Sequence, residues 1–348
     1  MVIVIVIMVT VSTTAGYYAI NYALAGTTSM TTEITSSTTS SPVSISSTGA
    51  PVVVATTNVA GLSYADAYDS AKGEIFLTNY DAGSVEILSD SNNSVLVTIP
   101  VGADPYGIAY DSGKGEVFVA DERSDFVSVI SDTNDTVVAT IPVGIDPLGI
   151  VYDSTKGEVF VANTDNNSVS VISDVTDTVV ATIRVGSEPL DFAYDPAKGE
   201  IFVGISQWEF APYGNTVSVI SDSTDSVVAN VTVGIAPYGL AYDSAKGEIF
   251  VADFESQSVS VISGSSDKVV ANVTGFFSPF GLAYDPTTGE VFVSDYSGKT
   301  LAAITDSSDT VIGNVTVGID SLGIAYDPGK GELFQLTAGG SVLVISDK

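Results

Sequence analysis

The sequence predicts an all-β protein, a single seven-bladed β-propeller of four-stranded blades, and three observations predict it. First, the chain repeats itself. A Tyr-Asp step falls at Tyr68, Tyr110, Tyr152, Tyr194, Tyr242, Tyr284 and Tyr326, at spacings of 42, 42, 42, 48, 42 and 42 residues. A fixed period of this length marks a repeat architecture. Second, each repeat divides into four short runs rich in Val, Ile, Thr and Phe, separated by turns containing Asp, Asn and Gly. Such runs read as strands, and four antiparallel strands in about 42 residues make one propeller blade. Third, the two ends complement each other. The last repeat stops at Ile345-Ser346-Asp347-Lys348, where its third strand should lead into a fourth. A fourth-strand sequence, Val53-Val54-Ala55-Thr56, stands at the other end: Val54 lies 14 residues before Tyr68, as Val138 lies 14 before Tyr152. The N-terminal strand is therefore expected to complete the last blade and remove the open sheet edge.

Residues 1–26 carry no charged side chain, and Val2–Val9 is an unbroken apolar run. The stretch is long enough to cross a bilayer as an N-terminal hydrophobic α-helix. Three readings stay open. A cleaved signal peptide would use Ala23-Leu24-Ala25, but the basic segment expected before its apolar run is absent. An uncleaved membrane anchor is the second. The third is a pilin-like helix that packs with copies of itself in a filament. Residues 27–50 are mostly Ser and Thr, with Glu33 and Pro42 as exceptions. That composition cannot build a core and reads as an extended stalk open to O-glycosylation, or as a plain flexible linker. Residues 51–348 form the propeller.

Within the repeat that starts at Gly107, the strands are expected at Gly107–Tyr110, Glu116–Ala120, Val127–Ser131 and Val137–Val143. Asp111 opens the first turn because its carboxylate can accept backbone N–H groups just ahead, and Gly115 supplies positive φ. The second strand carries one Phe per repeat: Phe76, Phe118, Phe160, Phe202, Phe250, Phe292 and Phe334. A residue recurring at one register in every blade reads as inter-blade core.

The second strand also resembles the signature of YVTN-type propeller repeats, as in archaeal surface-layer and other cell-surface proteins. It is written Glu74-Ile75-Phe76-Leu77-Thr78-Asn79 and Glu158-Val159-Phe160-Val161-Ala162-Asn163, with five looser copies. Phe stands where the family name has Tyr, and Asp replaces Asn in several copies. The resemblance covers residues from about 51 to the end. It implies a seven-bladed propeller and an extracytoplasmic setting, and it implies no activity.

Composition narrows the chemistry. The 348 residues include neither Cys nor His, and 42 acidic against 11 basic residues give a formal charge of −31. Nucleic acid and anionic membrane surfaces are poor partners for such a chain, since phosphates are neutralised by Lys and Arg. Ser-His and Cys-His nucleophiles are excluded, as are thiolate and imidazole metal sites. Paired carboxylates of the glycosidase kind remain possible in principle. The candidates, Asp121, Asp253 and Asp295, recur by repeat with Asn79 and Asn163 at the same place, and read as turn residues. No cofactor is expected. Calcium has a weak case in the acidic hairpin tips Asp121-Glu122-Arg123-Ser124-Asp125 and Asp165-Asn166-Asn167, which match no spaced calcium loop.

Six Asn-x-Ser/Thr sequons, at Asn92, Asn134, Asn166, Asn230, Asn272 and Asn314, are candidate glycosylation sites. Asn230, Asn272 and Asn314 share one register on the outermost strand, where a glycan could project; duplication of a β-forming sequence explains them equally well. Charge sorts by face. Turns after strands one and three carry Lys72, Lys114, Lys156, Lys198, Lys246 and Lys330, with Thr288 breaking the series. Turns after strands two and four carry Asp104, Asp121, Glu122, Asp146, Glu188, Asp191, Asp253 and Asp320. The two rims could attract neighbouring copies face to face. The fourth repeat has an insertion between its second and third strands, Ser206–Asn215, which holds the one Trp of the chain. Trp208, Glu209, Phe210 and Tyr213, with Tyr106, Tyr238 and Phe280 expected on the same face, are the candidate partner-binding residues; a cap over the blade is the other reading of the insertion.

The expected function is a non-enzymatic extracytoplasmic structural or adhesion protein at the cell surface, anchored in the membrane or assembled into a filament through residues 1–26. Its partners would be copies of itself and other surface proteins or glycans. The alternative is a glycan- or peptide-binding receptor using the acidic propeller face.

Overall fold

The computed structural model describes residues 51–207 and 212–346, and all seven blades are present as four-stranded antiparallel sheets. The expected helix over residues 1–26 and the stalk lie outside the described residues. In blade two the strands are Pro105–Asp111, Glu116–Asp121, Phe126–Ser131 and Thr136–Pro142. The first begins two residues earlier than expected. Proline opens it without loss because the first residue of a strand can forgo an N–H. Its register shifts between Pro105 and Ile108, and five other blades shift at the same place. Closure follows the expected course: Val52–Asn58 pairs antiparallel with Ser341–Ser346. Among the described residues the one helical turn is 3-10, at Glu122–Ser124.

The core lies between blades. All seven strand-two Phe side chains are fully buried. Phe118 of blade two packs with Ile150, Val159 and Val161 of blade three, and Phe160 with Phe192, Ile201 and Val203 of blade four. Both sheet faces are covered, so the inner strands are apolar throughout and do not alternate. The outermost strands do alternate: Thr136–Pro142 runs exposed, half-buried, exposed until Ile141. In each blade this strand is bulged at one exposed aliphatic residue, Val54, Leu96, Val138, Val180, Val228, Val270 or Ile312. A bulge spoils an edge as a template for a further strand.

The first turn is held as its residue types require. Asp111 is buried, and its Oδ1 accepts the N–H groups of Gly113 (2.7 Å) and Lys114 (3.2 Å). Asp69, Asp153, Asp195, Asp243, Asp285 and Asp327 accept the equivalent N–H two residues on at 2.7–2.9 Å. Gly115 has φ +69°, and a Cβ there would sit 2.6 Å from Asp132 Oδ1.

The lysine rim departs from expectation. Each lysine reaches across to the next blade and donates to a backbone carbonyl after its third strand: Lys72 to Asp132, Lys114 to Asp174, Lys156 to Asp222, Lys198 to Gly264 at 2.5 Å, Lys246 to Asp306, and Lys330 to Asp90 across the closure. These amines staple the ring from within. Each of the six side chains nonetheless stays about a third exposed.

Candidate functional site

The first strands surround the axis, and their sequence decides how close they come. Five carry Gly at one level: Gly107, Gly149, Gly239, Gly281 and Gly323. A Cβ added to Gly149 would lie 2.0 Å from the carbonyl oxygen of Leu190, and one on Gly107 would lie 2.2 Å from that of Leu148. Adjacent strands thus approach to backbone contact. That tightness is why the repeat spells Pro-x-Gly here.

The residue before each glycine forms a second level, nearer the face of the strand-two and strand-four turns. It is occupied by Tyr64, Tyr106, Leu148, Leu190, Tyr238, Phe280 and Leu322. Tyr64 stacks on Tyr106 with ring centroids 4.7 Å apart and meets Tyr80 edge-on at 5.2 Å. Tyr238 lies 5.0 Å from Phe280 and 5.2 Å from Phe254. Tyr106, Phe280 and Tyr296 also pack against the cluster around Tyr64 and Leu322. The mouth of the channel is therefore an aromatic collar. Below it is a cavity of about 170 Å³, lined by collar, glycine and strand-one side chains.

Two positions break the register inside this cavity. Asp191 stands where the other blades have Gly or, in blade one, Ala65. Asp66 stands where they have Ile108, Ile150, Phe192, Leu240, Leu282 and Ile324. Both line the cavity, from blades one and four. Asp191 Oδ2 accepts the Leu240 N–H at 3.1 Å. Burial pushes its carboxyl up to about 6, against the pull of the Phe192 and Leu240 N–H groups. Asp66 is pushed well above the usual carboxylate range, again by burial, with backbone N–H groups of Ala325 and Asp66 opposing. Its Oδ2 is buried without a hydrogen-bond partner. Desolvation of the charged form is the dominant cause in both.

The expected partner-binding residues divide accordingly. Tyr106, Tyr238 and Phe280 are brought together at the mouth, half-buried. Trp208, Glu209 and Phe210 lie outside the described residues. Tyr213 is 38% exposed beside the Gly214 N–H to Ser206 carbonyl bond. Tyr64 and Asp66 were missed, and Asp191 was read only as one more surface acid. The signal was available: laid against the Tyr-Asp ruler, Ser63-Tyr64-Ala65-Asp66 and Pro189-Leu190-Asp191 occupy the Pro-Tyr-Gly-Ile register.

The acidic face itself needs correction. Asp121 and Asp253 are fully buried. Asp121 accepts the Gly102 N–H (3.0 Å) and the Ser128 hydroxyl (2.6 Å); Asp253 accepts the hydroxyls of Ser258 and Ser260. Asn163 does the same work with the Gly144 N–H (2.8 Å), and Asp295 with those of Phe277 and Ser278. The reading as turn residues stands, and it withdraws these carboxylates from the surface charge. Asp104 pairs with Arg123 at 2.7 Å and Asp320 with Lys299 at 3.4 Å. The tips considered for calcium are similarly engaged: Asp125 accepts the Asp146 N–H and Asn167 the Glu188 N–H. Among the described residues no group of three or more Asp or Glu is placed to hold a metal ion.

All six sequon asparagines are exposed. Asn230, Asn272 and Asn314 lie on the outermost strands opposite Ser218, Ser260 and Ala302. Among the described residues no helix is long and apolar enough to cross a membrane.

No family model matches the chain, and no curated protein matches it. A solved structure of Kuenenia stuttgartiensis hydrazine synthase is similar in fold, with a TM-score of 0.73 at 16% identity, over 83% of this chain and 96% of that one. At that identity the likeness speaks for the propeller alone.

Proposed function

We propose that the chain is a non-enzymatic recognition propeller of the cell surface, which binds a partner at the channel mouth. One observation carries the reading. Residues that follow the repeat are consumed in holding blades together, whereas the aromatic collar and its two off-register carboxylates gather at a single opening. Aromatic side chains bring large contact area at low entropic cost, which suits glycan and peptide recognition. The extracytoplasmic setting rests on the resemblance to YVTN-type surface repeats, on the uncharged residues 1–26 and on the Ser/Thr-rich residues 27–50.

A structural role in a surface assembly is the second reading. The level ring of exposed aliphatic bulge residues, among them Val138, Val180, Val228 and Val270, supports it, since it offers the same apolar contact on every side of the blade ring. The two readings separate on intact cells. External protease should remove the propeller from the surface, and Tyr106→Ala with Tyr238→Ala should abolish adhesion to a glycan or peptide array while assembly persists. A propeller protected from protease in intact cells would refute the surface reading.

A further inference from the structure

We infer that the cavity under the aromatic collar is a binding site for a primary ammonium group on a slender aliphatic chain, held between Asp66 and Asp191. The inference deepens the recognition reading above by naming the chemistry recognised. Four features of the cavity lead to it.

First is charge. The lining of Tyr64, Asp66, Tyr106, Asp191, Tyr238 and Phe280, with glycines and aliphatic residues between them, contains two carboxylates and no Lys or Arg. The acidic groups around the mouth reinforce the sign: Glu188 and Glu255 act on Tyr238, Glu122 on Tyr80, and Asp320 on Tyr296. Second is need. Asp66 Oδ2 is buried with no donor. A buried acceptor left unpaired is costly, so the position is stabilised by protonation or by an arriving cation. Third is asymmetry. Every other blade places glycine, alanine or another apolar residue, Phe192 included, at these registers, and the ring closes with them. The carboxylates are not required by the repeat. Fourth is the collar. Tyr and Phe faces attract a cation and exclude competing water, the pairing found wherever aromatic rings surround an ammonium.

Size selects among cations. The cavity is small, about 170 Å³, and its glycine level is close to backbone contact, which suits the thin end of an alkylammonium chain. The two carboxylates come from blades one and four of seven and line the same cavity, so an ammonium bound there would be shared between them. Guanidinium, wide and planar, fits this narrow glycine level less well. A bare divalent cation would want more oxygen ligands than two carboxylates and gain nothing from the collar. The ammonium has two sources, a free diamine or the lysine side chain of a partner protein.

The test uses the full chain and calorimetric titration with 1,5-diaminopentane and, separately, with Nα-acetyl-lysine methylamide. Saturable binding of at least one is expected. Preference for the diamine marks a free-metabolite site, and preference for the lysine derivative marks a protein-partner site. Asp66→Asn and Asp191→Asn should each weaken it by roughly tenfold or more, equivalent to about 1.4 kcal/mol. Pentane-1,5-diol should not bind. Affinity of the unaltered protein should rise as pH is raised from 5 to 8, because Asp191, pushed up to about 6, ionises over that range while the amine stays charged; this measurement needs no variant to fold. Failure of both amines to bind, equal binding by both Asn variants, or displacement by millimolar calcium in place of the amine would overturn the proposal. If array binding is lost on Tyr106→Ala with Tyr238→Ala yet is indifferent to Asp66→Asn and Asp191→Asn, the recognition reading stands and the ammonium site falls.

Discussion

The two rims of the ring are built from the same repeat and have come to differ. On the rim formed by the turns after strands one and three, a buried Asp and a lysine recur almost without interruption. Each has its partner: Asp111 holds its own turn, and Lys114 reaches the Asp174 carbonyl of the next blade. At the channel mouth on the other rim, Tyr64, Tyr106, Tyr238 and Phe280 stand at the register where the remaining three blades have leucine, and carboxylates stand at residues 66 and 191. A polar residue that keeps the register is bound by the fold. One that leaves it must be explained by something else.

The hardest way to break this comparison is to break the ring. Removing residues 52–58 strips the outer edge of the strand Ser341–Ser346 of its partner along its whole length, leaving it paired only to Glu332–Thr337. The remaining chain should lose cooperative unfolding or aggregate, seen by calorimetry and light scattering. An unchanged transition would mean that closure does not hold the blades. Next in size is Phe160→Ala, which empties a fully buried inter-blade site and should cost about 3–5 kcal/mol. Val138→Ala, on an exposed bulge, should stay within about 0.5 kcal/mol.

These expectations were largely legible in the chain itself. Period, turn chemistry and the displaced strand at Val53–Thr56 each depend on local residue type, so blade number and closure could be read directly. Asp121 was legible as a turn residue and illegible as a buried one. Its burial depends on the Gly102 N–H, which belongs to the loop entering the strand, and on Ser128 across the sheet. Likewise the lysines read as a charged rim, because the carbonyls they reach lie 60 or 66 residues away in sequence, and 240 across the closure. The collar was half visible. Tyr106, Tyr238 and Phe280 announced themselves by their Pro-x-Gly setting, while Tyr64 precedes the strand Asp66–Asp69, the one first strand whose lead-in lacks both the proline and the glycine.

The comparison sharpens with pH. Burial pushes Asp121 and Glu122 up to about 7, and Asp253, Asp191 and Asp146 up to about 6; in Asp146 the neighbouring Asp165 adds to it. All five belong to the mouth side. Carboxyls whose folded pKa exceeds the unfolded value near 4 bind protons more tightly in the folded state. Their contribution to stability is full below about pH 4 and is lost as pH rises through 6–7. The melting temperature should therefore fall between pH 5 and pH 8, measured by scanning calorimetry at fixed ionic strength. Asp66→Asn should stabilise the protein at pH 8 by about 1–3 kcal/mol, since it removes a carboxyl that burial disfavours in its charged form and whose Oδ2 has no donor. A rise in melting temperature from pH 5 to 8 would contradict the sign.

A small effect, well below that of the core, belongs to the repeated rim. Lys114 Nζ donates to the Asp174 carbonyl and lies 2.9 Å from Glu116 and 3.8 Å from Asp177, but its side chain is 37% exposed. Exposed ion pairs contribute about 0–1 kcal/mol because water and salt screen them and ordering a long side chain costs entropy. Lys114→Met keeps most of the aliphatic packing and removes the donor. The expected loss is about 0.5–1 kcal/mol at low salt, shrinking in 1 M NaCl, since screening already weakens what the substitution removes. Blade six, with Thr288 at this register, shows that the ring can close where one staple is absent: Thr288 turns inward to Asp285 at 2.5 Å instead. If Lys114→Met instead cost as much as Phe160→Ala, the staples would rank with the core, and the rim would owe its regularity to stability far more than the geometry of a half-exposed amine allows.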